Sequence, residues 1–444
     1  MMNRREFGAL LVSGAVTGGL PRVVTSRRPS PPVPVDGARL NGRLAEIGKF
    51  GANPFGGVTR LAYSDADRDA RSAVMRWMTE AGLAPNVDVA GNIIGRRAGG
   101  DASLKPLVFG SHVDSVPEGG NFDGNVGVLA AIEAAQVLRE QGITLRHPIE
   151  VSVWANEEGG LYGSRAVSGQ LTAPELKNVA RSGKSIEAGV AFLGGNPARI
   201  AEARRNKGDV AGYFELHIEQ GGVLEQTSTH IGIVEGIVGI RWWDVTITGF
   251  ANHAGTTPMD QRQDSMLAAG RFIDMVNRVI RAEPGRQVGT VGRLQATPSA
   301  PNVIPGKVVC SLEIRDLDDA KIAMLFERVR QEARAIGEAT RTRFEYADLH
   351  INVAAPSDAR MREVIADASR AHNLSARVMP SGAGHDAQAI AQLAPMGMIF
   401  IPSIGGISHS PKEFTRADDI VNGANVLLAA VRSADRALDA GRTG

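Results

Sequence analysis

The stretch GSHVDSVPEGGNFDGNVGVLAA, residues 110–131, sets one imidazole, His112, and two carboxylates, Asp114 and Asp123, among glycines. Glycines at 119, 120, 124 and 127 let a backbone turn sharply and approach something closely, and the three polar side chains have no apolar face to pack into. A metal ion is the economical reason for such a segment. Metal-type side chains recur in glycine-rich or strand-end settings, with Glu157 and Glu158 in NEEGG, His217 in ELHIEQGG and His409 in GISHSP. Each is weak alone, because a lone histidine at a strand end is more often a hydrogen-bonded core or surface residue, and a Glu-Glu pair is usually a solvated turn. Together they would require most of the nine histidines to fall in glycine-flanked sequence by accident. A single cysteine, Cys310, rules out a thiolate cluster and an internal disulfide, so a metal has to be held by histidine and carboxylate.

Elements that could position these groups alternate from about residue 40 to 237. DRDARSAVMRWMTEAGL and GNVGVLAAIEAAQVLREQG space their apolar residues helically, whereas PLVFGSHVD and PIEVSVWANEEGG read as short buried strands. The alternation predicts an α/β fold, a mostly parallel sheet with helices on both faces, whose ligands gather at the carboxyl ends of the strands. His112 and the Glu157–Glu158 pair each follow an apolar run immediately, so both belong at that edge. Adjacent strand residues face opposite ways, so the backbone must bend at NEEGG for both glutamates to serve one site; Gly159 and Gly160 permit it. Between 238 and 353 the order becomes strand (VGIRWWDVTITGF), helix, strand (RQVGTVGRLQA), strand (GKVVCSLEIRD), helix, strand (RFEYADLHI). That order is the ferredoxin-like split unit, and it predicts an α+β domain, 238–353, inserted into a first domain made of 37–237 and 354–444.

The 444 residues, 43% hydrophobic, suffice for two or three domains with real cores. Forty-nine basic and 48 acidic side chains leave no electrostatic footprint for nucleic acid or an anionic membrane surface, so the expected partners are a small molecule and a second copy of the chain. The first twenty residues, MMNRREFGALLVSGAVTGGL, place Arg4 and Arg5 before an apolar run too short to span a bilayer. This resembles a twin-arginine export signal and predicts a periplasmic or exported protein; a basic end followed by a stray apolar patch would leave it in the cytoplasm. RRPSPPVPVD, 27–36, then reads as a proline-stiffened linker, which makes 1–36 signal and linker.

GSHVDSVPEGGNFDG, WANEEG, ELHIEQG, NHAGTTPM, PNVIPG and GISHSPKE form a specific set. From about residue 40 to 435 the chain resembles the M20-type dinuclear metallohydrolases, and within them the N-carbamoyl-L-amino-acid hydrolase, allantoate amidohydrolase and β-ureidopropionase branch. The resemblance implies two divalent ions per subunit, zinc first, with Mn, Co or Ni acceptable to a mixed histidine and carboxylate set. It implies that Asp123 bridges them, that His112 and His217 complete one ion and Glu158 and His409 the other, and that Glu157 is the general base. His217 stands where peptidase members typically carry a carboxylate, which leaves the ions more positive. Asp114 is expected to fix the tautomer of His112. Gln220, Asn302 and Arg315 resemble substrate-binding positions, the last two as a clamp on a carboxylate. His253 resembles a residue that enters the partner subunit's site and stabilises an oxyanion, which implies a homodimer joined through the inserted lid domain. His385 and Asp386 in SGAGHDA match a family segment without a role.

The activity so implied is hydrolysis of the carbamoyl or ureido C–N bond of a small carboxylate substrate, an N-carbamoyl-L-amino acid, allantoate or similar, releasing ammonia and carbon dioxide. An M20 exopeptidase acting on dipeptides or N-acyl amino acids is the alternative, disfavoured by His217 and by the Asn302 and Arg315 pair. A periplasmic solute-binding protein would suit two domains and near-zero charge, but it has no use for Glu157 beside a metal ligand.

Overall fold

The computed structural model describes residues 33–438, so the Arg4–Arg5 signal and most of the proline-rich linker lie outside the described residues. A nine-stranded sheet runs in the order Ala84–Val87, Ile93–Arg97, Ile149–Trp154, Leu107–His112, Gly212–Ile218, Met396–Ile401, Ile231–Ile237, Ala355–Pro356, with Ala376–Ser381 also paired to Ile231–Ile237. The four strands at its centre, from Ile149–Trp154 to Met396–Ile401, are mutually parallel. Antiparallel partners flank them on both sides, at Ile93–Arg97 and Ile231–Ile237. The central strands are buried along their whole length, as parallel strands covered on two faces must be.

Alternation along each strand divides the core. Leu107, Phe109, Leu216, Ile218, Ile399 and Ile401 pack under the long helices Gly37–Ile47, Asp65–Glu80, Asn125–Glu140, Ala359–Ala371 and Ala417–Ala437. Val108, Tyr213, Met398 and Phe400 point the other way, toward the short helices Tyr162–Ser168 and Asp386–Ile390. Each such side chain, fully buried, contributes roughly 1.5–3 kcal/mol. A methyl group on Gly110 would fall 1.9 Å from the Ser152 carbonyl oxygen, so the strand carrying His112 can lie against its neighbour only with glycine there. Among the described residues no helix is long and apolar enough to cross a membrane.

A second sheet of five strands is antiparallel throughout, in the order Leu294–Thr297, Lys307–Asp316, Gly239–Thr248, Arg343–Asn352, with Val288–Thr290 beside Lys307–Asp316. RQVGTVGRLQA, expected as one strand, is thus broken into two short ones. Strict alternation buries Val308, Cys310, Leu312 and Ile314 against the helices Ser265–Ala282 and Asp319–Thr340, giving this layer its own apolar core. The helices begin at Asp264 and Asp318, whose carboxylates each accept two backbone N–H groups of the first turn.

Candidate metal centre

His112 is the last residue of its strand, level with Trp154, and His217 lies next to the end of the neighbouring strand, level with Phe400. Asp123 precedes the helix Asn125–Glu140, and His409 sits in the loop after Met396–Ile401 in a left-handed conformation, φ 53°. Gly124 joins Asp123 to its helix at φ 66°, and a Cβ there would lie 2.5 Å from Nε2 of His112. The close approach requires glycine twice over. Around Asp123 the donors converge: Oδ1 lies 3.3 Å from Nε2 of His112 and 3.1 Å from Nε2 of His217, and Oδ2 lies 3.3 Å from Nε2 of His409. Nε2 of His409 is 3.5 Å from Oε1 of Glu158. Two triads result, His112–Asp123–His217 and Asp123–Glu158–His409, the donor atoms of each within 4.8 Å of one another.

The donors fit cations. Nδ1 of His112 donates to the Asp114 carbonyl at 3.0 Å and Nδ1 of His217 to the Ile218 carbonyl at 2.9 Å, so both rings turn Nε2 lone pairs toward Asp123. Nε2 of His112, Oδ1 of Asp123 and Oε1 of Glu158 are buried without a hydrogen-bond partner, a costly arrangement for polar atoms facing nothing. The electrostatics agree. Burial opposes charge on His112, yet Glu157, Asp123 and Asp114 raise its pKa well above the usual imidazole value. Burial and then Asp123 push Glu158 up to about 7. A cluster that drives imidazoles to protonate and carboxylates to neutralise is short of positive charge, which divalent ions would supply.

The surroundings correct one expectation. The Asp114 carboxylate stays 3.8 Å from Nδ1 of His112, and the tautomer is fixed by its own backbone carbonyl. Its side chain instead accepts the backbone N–H groups of Glu157 at 3.3 Å and Glu158 at 3.1 Å, holding both glutamates toward the site. The bend falls within NEEGG, with Asn156 at φ 53° and Gly160 at φ 130° in positive-φ conformations. Gly159 serves packing, since a Cβ would fall 2.1 Å from Oδ1 of Asn156.

Two supporting carboxylates went unread in the sequence. Glu413 accepts the amides of Phe122 at 2.9 Å and Asp123 at 3.0 Å and the Ser408 hydroxyl at 2.9 Å. Glu215 accepts the Ser111 hydroxyl at 2.7 Å and the Ala387 amide at 2.9 Å, tying the His112 strand to the His217 strand and to the helix after His385. A glutamate within the buried run YFELHI is the available signal for Glu215, and the place of Glu413 as the last residue of GISHSPKE is the signal for the other. His385 stands edge-on to His217, centroids 4.5 Å apart, with Nε2 2.8 Å from the Ser381 hydroxyl. Asp386 accepts the Ser164 hydroxyl at 2.5 Å.

A cleft of about 490 Å³ joins Asp123, Glu157, Glu158, His217 and His409 to Gln220 and to Arg315 on the second sheet. Nε2 of Gln220 donates to Oδ2 of Asp123 at 2.7 Å. Glu313 and the Gly382 carbonyl engage three of the N–H groups of Arg315, leaving two of its five for a ligand. Asn302 and His253 are not brought into this cleft. They stand together elsewhere, where the exposed strand Asn252–His253 pairs with Val303–Ile304 and the Ala254 amide donates to the Asn302 carbonyl at 3.0 Å.

Paired histidine and carboxylate triads at the carboxyl edge of a parallel sheet define the α/β metallohydrolase class. Comparison with known proteins names the family. The model of peptidase family M20/M25/M40 matches residues 108–433, and the chain belongs to that family. It is 39% identical over 402 residues to the N-carbamoyl-L-amino acid amidohydrolase of Geobacillus stearothermophilus, covering 89% of this chain and 98% of that protein. It is 35% identical over 392 residues to the allantoate amidohydrolase of Escherichia coli (strain K12), covering 86% and 94% respectively. The crystal structure of an amidase of the hydantoinase/carbamoylase family from Burkholderia multivorans superposes with a TM-score of 0.83 at 38% identity, covering 90% of this chain and 98% of that one.

Proposed function

We propose that this chain is a metal-dependent amidohydrolase that cleaves the carbamoyl C–N bond of a small ureido acid, an N-carbamoyl-L-amino acid or an allantoate-like compound, releasing ammonia and carbon dioxide. The observation that carries the reading is the cleft lined by Asp123, which the two donor triads share, together with Glu157 and Arg315. His112, Asp123 and His217 would hold one divalent ion and Asp123, Glu158 and His409 a second, zinc first among the candidates. When bound, such ions polarise a carbonyl oxygen and make water acidic enough to attack near neutral pH. Glu157, a member of neither triad, accepts the proton of that water and delivers it to the departing nitrogen. Arg315 orients the substrate carboxylate with its free N–H groups, and Gln220, which lines the cleft beside Asp123, contacts the ureido group.

His253 supplies the oxyanion donor from a second copy. Its Nδ1 accepts the amides of Gly255 at 3.0 Å and Thr256 at 3.1 Å, so the neutral ring carries its hydrogen on exposed Nε2, the form a donor requires. Asn302 travels with it and completes the clamp from the same side. The second sheet and its helices, residues 238–353, act as a ferredoxin-like lid and dimerisation unit. Exposed Met266, Leu267 and Ile273 on the helix Ser265–Ala282 and Leu294 on the edge strand supply apolar surface that pairing about a two-fold axis would cover. Arg4 and Arg5 support export of the folded, loaded protein to the periplasm.

Ammonia release from N-carbamoyl-L-amino acids, allantoate and N-carbamoyl-β-alanine, lost on chelation and restored by Zn, Mn, Co or Ni, is the expected result. Cleavage of dipeptides with no ureido turnover would overturn the reading. Glu413→Ala is expected to weaken metal affinity roughly 10–100-fold, because the backbone of Asp123 loses its acceptor. Competition with a chromogenic chelator measures this, and unchanged affinity would remove Glu413 from the centre.

A further inference from the structure

A second cavity, of about 700 Å³, adjoins the metal cleft and shares Gly159, Gly160, Leu161 and Asn352 with it. Its apolar lining is Leu161 with Leu349 and Ile351 of the edge strand and Val353 just beyond it, the last three each about half exposed. Gln388, 6% exposed, also lines the cavity. Its amide nitrogen donates to the carbonyls of Val353 at 2.8 Å and Val238 at 3.3 Å, which fixes the amide so that Oε1 is directed away from them. That oxygen is buried and has no hydrogen-bond partner. A Cβ on Gly384, which lines the metal cleft, would come within 3.5 Å of it, so Gln388 lines the second cavity while its oxygen lies beside a residue of the metal cleft. A buried acceptor held in place without a donor is costly unless a ligand supplies one. The charged groups lining the cavity, Arg165 and Glu175, are paired with each other at 2.7 Å, so neither is free for a charged side chain.

We propose that this cavity receives the side chain of the ureido acid, and that the preferred side chain is an apolar ring carrying one hydrogen-bond donor, the phenol or indole of an N-carbamoyl-L-amino acid. The inference rests on the ureido-acid reading. A ring gains from the apolar lining, and its O–H or N–H meets Oε1 of Gln388.

The test measures kcat/KM of the metal-loaded full chain on the N-carbamoyl derivatives of glycine, L-phenylalanine and L-tyrosine. Phenylalanine is expected to exceed glycine at least about tenfold, and tyrosine to exceed phenylalanine roughly three- to tenfold. In a Leu349→Asn, Ile351→Asn double variant, whose half-exposed positions spare the core, the tyrosine-to-glycine ratio should fall at least about fivefold. In Gln388→Met the tyrosine-to-phenylalanine ratio should approach unity. Equal efficiency on all three derivatives, or ratios unmoved by the substitutions, overturns the side-chain pocket and leaves ureido hydrolysis standing. No ammonia from these derivatives while allantoate is hydrolysed overturns the side-chain pocket alone, and no ammonia from allantoate either overturns both.

Discussion

Glu157→Gln is expected to leave the metals bound and to lower kcat by roughly 10²–10⁴-fold. The two adjacent glutamates differ in what they touch. Glu158 reaches His409 at 3.5 Å and belongs to a triad with Asp123. Oε2 of Glu157 comes no nearer than 3.8 Å to Nε2 of His112, and the residue belongs to neither triad. Burial pushes its carboxyl well above the usual glutamate value; His112 opposes that shift, while Glu158 and Asp386 reinforce it. A carboxylate so placed is a stronger base than a solvated one, which suits it to take a proton from water. The amide of glutamine keeps the size and cannot take the proton. Its backbone N–H still donates to Asp114, so the turn is preserved. Metal analysis beside the kinetics decides the assignment, since loss of the ions would make Glu157 a ligand.

The distinction between base and ligand shows how far sequence alone reaches. Hydrophobic periodicity located the buried strands and the long helices because a sheet covered on both faces leaves little freedom in what its strands can contain. The donors were legible as a set because histidines and carboxylates next to glycine have few other reasons to recur together. What stayed hidden was decided by backbone geometry. Asp114 was read through its side chain, but the tautomer of His112 is held by its carbonyl, and every residue has one of those. The bend at NEEGG is legible from its two adjacent glutamates, but not that Asn156 shares it at φ 53°, a conformation asparagine tolerates better than most residues do. Glu413 lies 290 residues from the amide it holds at Asp123, a pairing that exists only once the chain is folded. His253 and Asn302 were named as site residues and stand apart from their own chain's cleft. The role proposed for them requires a second copy.

Pairing of two inactive variants is expected to restore about a quarter of wild-type activity. His253→Ala alone should cost roughly 10²–10³ in kcat, the usual loss when one oxyanion donor is removed. Folding should survive, because the amides of Gly255 and Thr256 that the ring accepts are exposed and can turn to water. Glu157→Gln should be inactive for an unrelated reason, the missing base. When the two proteins are unfolded and refolded together, random association makes half the dimers mixed. In a mixed dimer the His253→Ala subunit keeps its own Glu157 and receives an intact His253 from its partner, so that site works. The other site lacks both groups. One active site in two, in half the dimers, gives the quarter. If His253 acted within its own chain, every site in the mixture would lack one group or the other and no activity would return. Refolded wild-type protein serves as the control for recovery. A mixture that stays inactive while that control recovers would exclude the shared site and return His253 to its own turn.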